Sequence, residues 1–146
     1  MQVSDYMSRN PVTVDREETV AAAARILSSQ NVGALPVISA SGRLVGMLTD
    51  RDIAVRCVAA NFDPNVTRVR TVMSAAPVTV SASADLASAA GTMAARRVRR
   101  LPVTSEGKLV GILSRGDLVG AARESLEAAR RRPGEPAQEA ESTAEG

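Results

Sequence analysis

Between Val20 and Leu27 the apolar positions Val20, Ala23, Ala24 and Leu27 fall at i, i+3, i+4 and i+7, the spacing of one helical face. The same spacing returns at Leu86, Ala89, Ala90 and Met93. Around these helices the pattern tightens into short continuous apolar runs. LPVI (35–38) and LPVT (101–104) read as strands that begin at a proline, where a missing N–H is least costly. RLVGMLT (43–49) and KLVGILS (108–114) read as buried strands, and PVTV (11–14 and 77–80) as a short β run. A second helix is predicted over DRDIAVRCVAA (50–60) and over RGDLVGAARESLEAARR (115–131). Thr19 or Glu18, and Ser83, stand near the starts of the first helices.

The order β-α-β-β-α therefore occurs twice, and the residues repeat with it. MSRNPVTV (7–14) returns as MSAAPVTV (73–80) and VGALPV (32–37) as VRRLPV (98–103), both 66 residues on. GRLVGMLTDRDI (42–53) returns as GKLVGILSRGDL (107–118), 65 residues on. One residue is thus lost between them, in the turn where ISASGR (38–43) becomes TSEGK (104–108). The expected organisation is a first repeat over 1–65, a second over 66–129, and a tail over 130–146. NFDPNVTRVRTVMS (61–74) links the repeats. The tail is rich in Glu, Pro, Gly and Ser without apolar periodicity, and is expected to be disordered or a frayed helix end. The fold class is mixed α/β, a pseudo-twofold pair of repeats.

Composition narrows the chemistry. The 146 residues are 45% hydrophobic, but Tyr6 and Phe62 are the only aromatics, so Val, Leu, Ile, Ala and Met must build the core. A net charge of +2 is too mild to imply nucleic-acid binding, and Arg96 to Arg100 has no interleaved aromatic for base stacking. There is no histidine and one cysteine, Cys57. That excludes an intrachain disulfide, a His/Cys zinc site within one chain, and Ser-His-Asp or Cys-His nucleophile systems. Cys57 lies in the run IAVRCVAA and reads as a small buried hydrophobe. No membrane-spanning run and no signal peptide is read, and a cytoplasmic location is expected.

The repeated hydroxyl and aspartate, Thr49-x-x-Asp52 and Ser114-x-x-Asp117, admit two readings. A hydroxyl with an acid three residues on is a capping box for the helix that follows. The same geometry suits a ligand, because helix N–H groups can meet a phosphate and a carboxylate can take ribose hydroxyls. The readings are compatible.

Two copies of β-α-β-β-α, each with an L-P-V strand and a G-x-L-V-G-h-h-[TS]-x-x-D-h stretch, resemble tandem CBS (cystathionine-β-synthase) domains, a Bateman module, over roughly residues 4 to 129. GALPV followed by GMLTDRDI is similar to the small stand-alone members. The resemblance implies a non-catalytic regulatory module binding AMP, ADP, ATP, NAD or S-adenosylmethionine between its repeats, and an antiparallel homodimer. It requires no cofactor and names no effector protein. Carried over residue by residue, it implies one cleft of Thr49 and Asp52 with Val78, Thr79, Val80, Val98, Arg99 and Arg100. The other would hold Ser114 and Asp117 with Val12, Thr13, Val14, Val32, Gly33 and Ala34. Arg99 and Arg100, with Arg51 beside them, make the Asp52 cleft the expected phosphate site, since only Arg115 stands near the second; the arginines also read as a solvated rim. A structural or protein-interaction dimer with empty clefts is the alternative.

Overall fold

The computed structural model describes residues 1–131. The expected tail lies outside the described residues from 132 onward. A 3₁₀ turn, Val3–Asp5, precedes β1 (Ser8–Arg9), β2 (Val14–Asp15), α1 (Val20–Gln30), β3 (Ala34–Ile38) and β4 (Leu44–Thr49). Next come α2 (Asp50–Asp52), which runs on as a π-helix over Ile53–Val58, and α3 (Val69–Val72). The second half holds β5 (Ser74–Ala75), β6 (Val80–Ser81), α4 (Leu86–Arg96), β7 (Arg100–Ser105), β8 (Lys108–Ser114) and α5 (Arg115–Arg130).

Both predicted helical faces are real. Val20, Ala23 and Leu27 of α1 are buried in one core, and Leu86, Ala89 and Met93 of α4 in another. Thr19 caps α1 by accepting the Ala22 N–H at 3.2 Å. Asp85, rather than Ser83, stands at the N-cap of α4 and makes no side-chain cap bond. The PVTV runs differ from expectation. Only Val14–Asp15 and Val80–Ser81 join a ladder, each parallel to the strand that carries the L-P-V motif. Those strands do not begin at the proline as expected, since Pro36 and Pro102 are the third residues of β3 and β7 and sit within their ladders. Pro11 and Pro77, which carry no N–H to donate, lie outside the paired residues.

The two sheets run β2-β3-β4-β5 and β1-β8-β7-β6. Each half therefore lends its first strand to the other. β1 pairs antiparallel with β8 (Ser8 opposite Ile112), and β5 with β4 (Ser74 opposite Met47). The lead-in segments cross over as well. Val3 is fully buried in the core of the second half, while Val69 and Val72 are fully buried in that of the first. These segments satisfy the free N–H groups that open the long helices. The Leu86 N–H donates to the Met1 carbonyl at 2.9 Å, and the Val20 N–H donates to that of Thr67 at 2.9 Å.

The crossing explains the glycine in the repeated L-V-G. A Cβ on Gly46 would stand 2.6 Å from Met73 Sδ and 2.8 Å from the Ser74 carbonyl oxygen. A Cβ on Gly111 would stand 2.6 Å from Met7 Sδ and 2.7 Å from the Ser8 carbonyl oxygen. The repeated Met-Ser of one half thus lies directly on the repeated glycine of the other. A further tie holds the N-terminal segment: Tyr6 Oη donates to Glu124 Oε2 of α5 at 2.8 Å. That bond to Glu124 is the main reason the Tyr6 phenol titrates above its ordinary value, with desolvation and the charges of Glu124 and Asp5 adding to it.

Gly46→Ala or Gly111→Ala is expected to cost about 1–3 kcal/mol through overpacking, lowering Tm by roughly 3–10 °C. Gly91→Ala, in α4 with nothing within 4 Å, should instead hold or raise Tm. Thermal melts of the three variants decide this, and equal effects at all three sites would refute the contact argument. Tyr6 is the only tyrosine, so tyrosinate absorbance reports it alone. Because its folded pKa is raised, the Tyr6–Glu124 tie is intact below about pH 10 and is lost as pH rises through the folded pKa. Glu124→Gln should bring the titration midpoint back toward the ordinary value; an unmoved midpoint would place the cause elsewhere.

Candidate functional site

Both [TS]-x-x-D stretches end a central strand and open a helix. Thr49 Oγ1 accepts the Asp52 N–H at 3.0 Å, and Asp52 Oδ2 accepts the Thr49 N–H at 3.0 Å. Ser114 Oγ accepts the Asp117 N–H at 3.1 Å, and Asp117 Oδ2 accepts the Ser114 N–H at 2.7 Å. Both capping boxes are complete. Each cap contributes about 1 kcal/mol to its helix. The two aspartates differ in their surroundings. Asp52 Oδ1 faces the Arg56 guanidinium at 3.9 Å, whereas Asp117 has no ion-pair partner among the described residues. The repeat places Ala121 where the first half has Arg56.

A cavity of about 230 Å³ opens beside Ser114. Its walls bring together Val12, Val32 and Ala34 of the first half with Ser114 and Arg100 of the second. Val12 and Val32, in the segments that lead into β2 and β3, are 43% and 39% exposed. Their counterparts Val78 and Val98 are half-buried and pack against the second core. The duplicated positions have thus diverged: one pair of valines is exposed, the other packs against a core.

The remaining predicted residues are dispersed. Val14 is buried in the first core, Thr13 precedes it half-buried, and the Gly33 carbonyl accepts the Asp50 N–H at 3.0 Å. Thr79 and Arg51 are exposed, and Val80 pairs in β6 against Val103. The arginines depart from expectation. Arg100 lies directly opposite Ser114 in the β7–β8 ladder and lines the Ser114 cavity. Arg99, one residue earlier, lines a different cavity with Arg115. The two adjacent arginines thus line different cavities.

Sequence reasoning missed Ser8, Pro11, Gln30, Pro36, Met47 and Ile112 on the walls of the Ser114 cavity. Ser8 and Pro11 belong to the repeated M-S-x-x-P, whose recurrence was the available signal. Met47 and Ile112 occupy equivalent positions after the two L-V-G glycines. Chemically, the cavity offers apolar walls, the Ser8 and Ser114 hydroxyls, the Gln30 amide and one guanidinium, the makings of a small-molecule site. Asp117 is not among its lining residues. Among the described residues no group of His, Cys, Asp or Glu could hold a metal ion, and no helix is long and apolar enough to cross a membrane.

Known proteins share this arrangement. The chain is 42% identical over 116 residues to the CBS domain-containing protein YhcV of Bacillus subtilis, covering 80% of this chain and 81% of the relative. It is 38% identical over 114 residues to Hypoxic response protein 1 of Mycobacterium tuberculosis, covering 78% and 80%. The crystal structure of Hypoxic Response Protein I with two coordinated zinc ions superposes with a TM-score of 0.76 at 36% identity, over 82% of this chain and 98% of that one. The crystal structure of CBSX2 in complex with AMP gives a TM-score of 0.75 at 31% identity, over 86% and 98%. The CBS domain model matches residues 3–58 and again 69–124, each match taking in one L-P-V strand and one capped [TS]-x-x-D helix. With both repeats matched and the two halves interlocked through their first strands, the chain belongs to the CBS-domain family as a tandem pair.

Proposed function

We propose that this CBS pair is a regulatory sensor that binds an adenosine-containing ligand in the Ser114 cavity and catalyses no reaction. One observation carries the reading: exposed Val12 and Val32 face Ser114 and Arg100 across a cavity of about 230 Å³. The apolar walls Val12, Val32, Ala34 and Met47 suit an adenine ring. Arg100 on the cavity wall suits a phosphate. The Asp117 carboxylate, next to Ser114 through their capping box and unpaired by any cation among the described residues, would reach ribose hydroxyls from the cavity's edge. The volume lies below the usual range for drug-sized ligands, roughly 300–1,000 Å³. A nucleoside seated inside, with its phosphate at the rim, matches it better than a dinucleotide. CBSX2, similar in fold and sequence, has been crystallised with AMP. The Asp52 side, where Arg56 faces the carboxylate and the matching valines pack into a core, is the weaker cleft.

We further propose a cytoplasmic homodimer formed through the helical faces. Val119 and Leu126 of α5 are 50% and 56% exposed, and Val55 and Val58 on the π-helix 53% and 63%. Such apolar exposure on helices marks a surface that associates. The ligand acts by favouring one arrangement of the two copies over another.

A thermal-shift panel with AMP, ADP, ATP, NAD and S-adenosylmethionine tests the ligand. Saturation at a hundred times Kd stabilises by about 2.7 kcal/mol, several degrees for a chain of this size. The shift should vanish in Arg100→Ala and in Ala34→Leu, which fills the cavity wall, and persist in Asp52→Asn. No shift with any compound, or a shift abolished only by Asp52→Asn, would sink the assignment. Sedimentation velocity tests the assembly: the wild type should run as a dimer, and Val119→Asp/Leu126→Asp as a monomer. A wild type that is monomeric at all concentrations would refute it.

A further inference from the structure

The second half carries another cavity, of about 380 Å³, between the ends of α4 and α5. Its floor is apolar, formed by Ala90, Met93, Ala94, Val98 and Leu118. Its polar lining is three arginines, Arg97, Arg99 and Arg115, with no acid beside them. None of the three guanidiniums makes a hydrogen bond or ion pair among the described residues.

Two of these arginines break local rules. Arg97 ends α4 in the left-handed conformation, φ 54°, where glycine or asparagine is the ordinary choice. Arg115 is the first residue of α5, where the positive end of the helix dipole disfavours a cation. The first half obeys both rules at the matching positions. Asn31 ends α1 at φ 52°, and Asp50 opens α2. Gly33 stands where the second half has Arg99. Asparagine, glycine and aspartate have thus been exchanged for three cations converging on one cavity, at a cost to the local backbone and dipole. Departures from local preference that gather at one place mark function.

We infer that this cavity is a second binding site, for a small solute carrying a diphosphate group. Three guanidiniums match the charge of a diphosphate and can fork onto its oxygens, and the apolar floor leaves room for an organic moiety. The site is separate from the Ser114 cavity, since the two share no lining residue, and it does not depend on the adenosine reading.

Inorganic pyrophosphate is the probe, titrated calorimetrically into the full chain at fixed ionic strength. Binding should weaken at least about tenfold in Arg97→Asn/Arg99→Ser/Arg115→Asp, and remain in Arg100→Ala. The triple variant should melt no lower than the wild type, because Asn and Asp suit those two positions, so a loss of binding cannot be put down to unfolding. Absence of binding to the wild type, equal displacement by sulfate at matched ionic strength, or loss in Arg100→Ala instead of the triple variant would each overturn the proposal. A failed adenosine panel with retained pyrophosphate binding would leave this site standing.

Discussion

The close seat of Met-Ser on glycine governs this molecule. Met7 and Ser8 lie on Gly111, and Met73 and Ser74 lie on Gly46, with no room for a methyl group at either crossing. Those contacts fix where β1 and β5 add to the opposite sheets. They also carry the following Pro11–Val12 segment to the boundary between the halves. The Ser114 cavity therefore has walls from both repeats: Ser8, Pro11 and Val12 arrive with the crossing strand, while Ile112 and Ser114 belong to the strand it crosses. Remove the crossing and the cavity loses the Ser8, Pro11 and Val12 side of its wall.

Around this symmetric frame the rims have diverged. The buried leucines Leu35 and Leu48 have exact counterparts in Leu101 and Leu113, because a packed core tolerates little change in volume. The surface positions are under no such restraint. Val12 and Val32 are open where Val78 and Val98 are packed, Arg56 guards Asp52 where Ala121 leaves Asp117 alone, and Asp50 has become Arg115. Duplication keeps the scaffold and gives each half its own polar chemistry.

Much of this was legible in the chain. The helical stripes of α1 and α4, the L-P-V and L-V-G strands and both capping boxes follow from local spacing, and local spacing is what a sequence displays. The crossing strands were not legible. Ser8–Arg9 and Ser74–Ala75 are two-residue strands, each paired with a strand of the other repeat, and neither alternation nor propensity marks them. Val3 and Val69 belong to no apolar pattern in the sequence, although each is fully buried in the other half's core. The π-helix over Ile53–Val58 escaped because its residue pattern also fits an α-helix. Arg99 and Arg100 differ in another way. The resemblance puts them in one cleft, whereas the turn into β7 falls between them and each lines a different cavity.

The interlock bears on what one repeat could do alone. The lead-in segment that completes each hydrophobic core belongs to the other repeat, so a single copy carries a core and the lid for a different one. Two unfused copies would reach the same geometry by each lending its first strand to its mate, the reciprocal exchange of a domain-swapped dimer. In this chain the loop through Asn61 to Arg68 makes that exchange intramolecular, and a bimolecular assembly step becomes a concentration-independent fold.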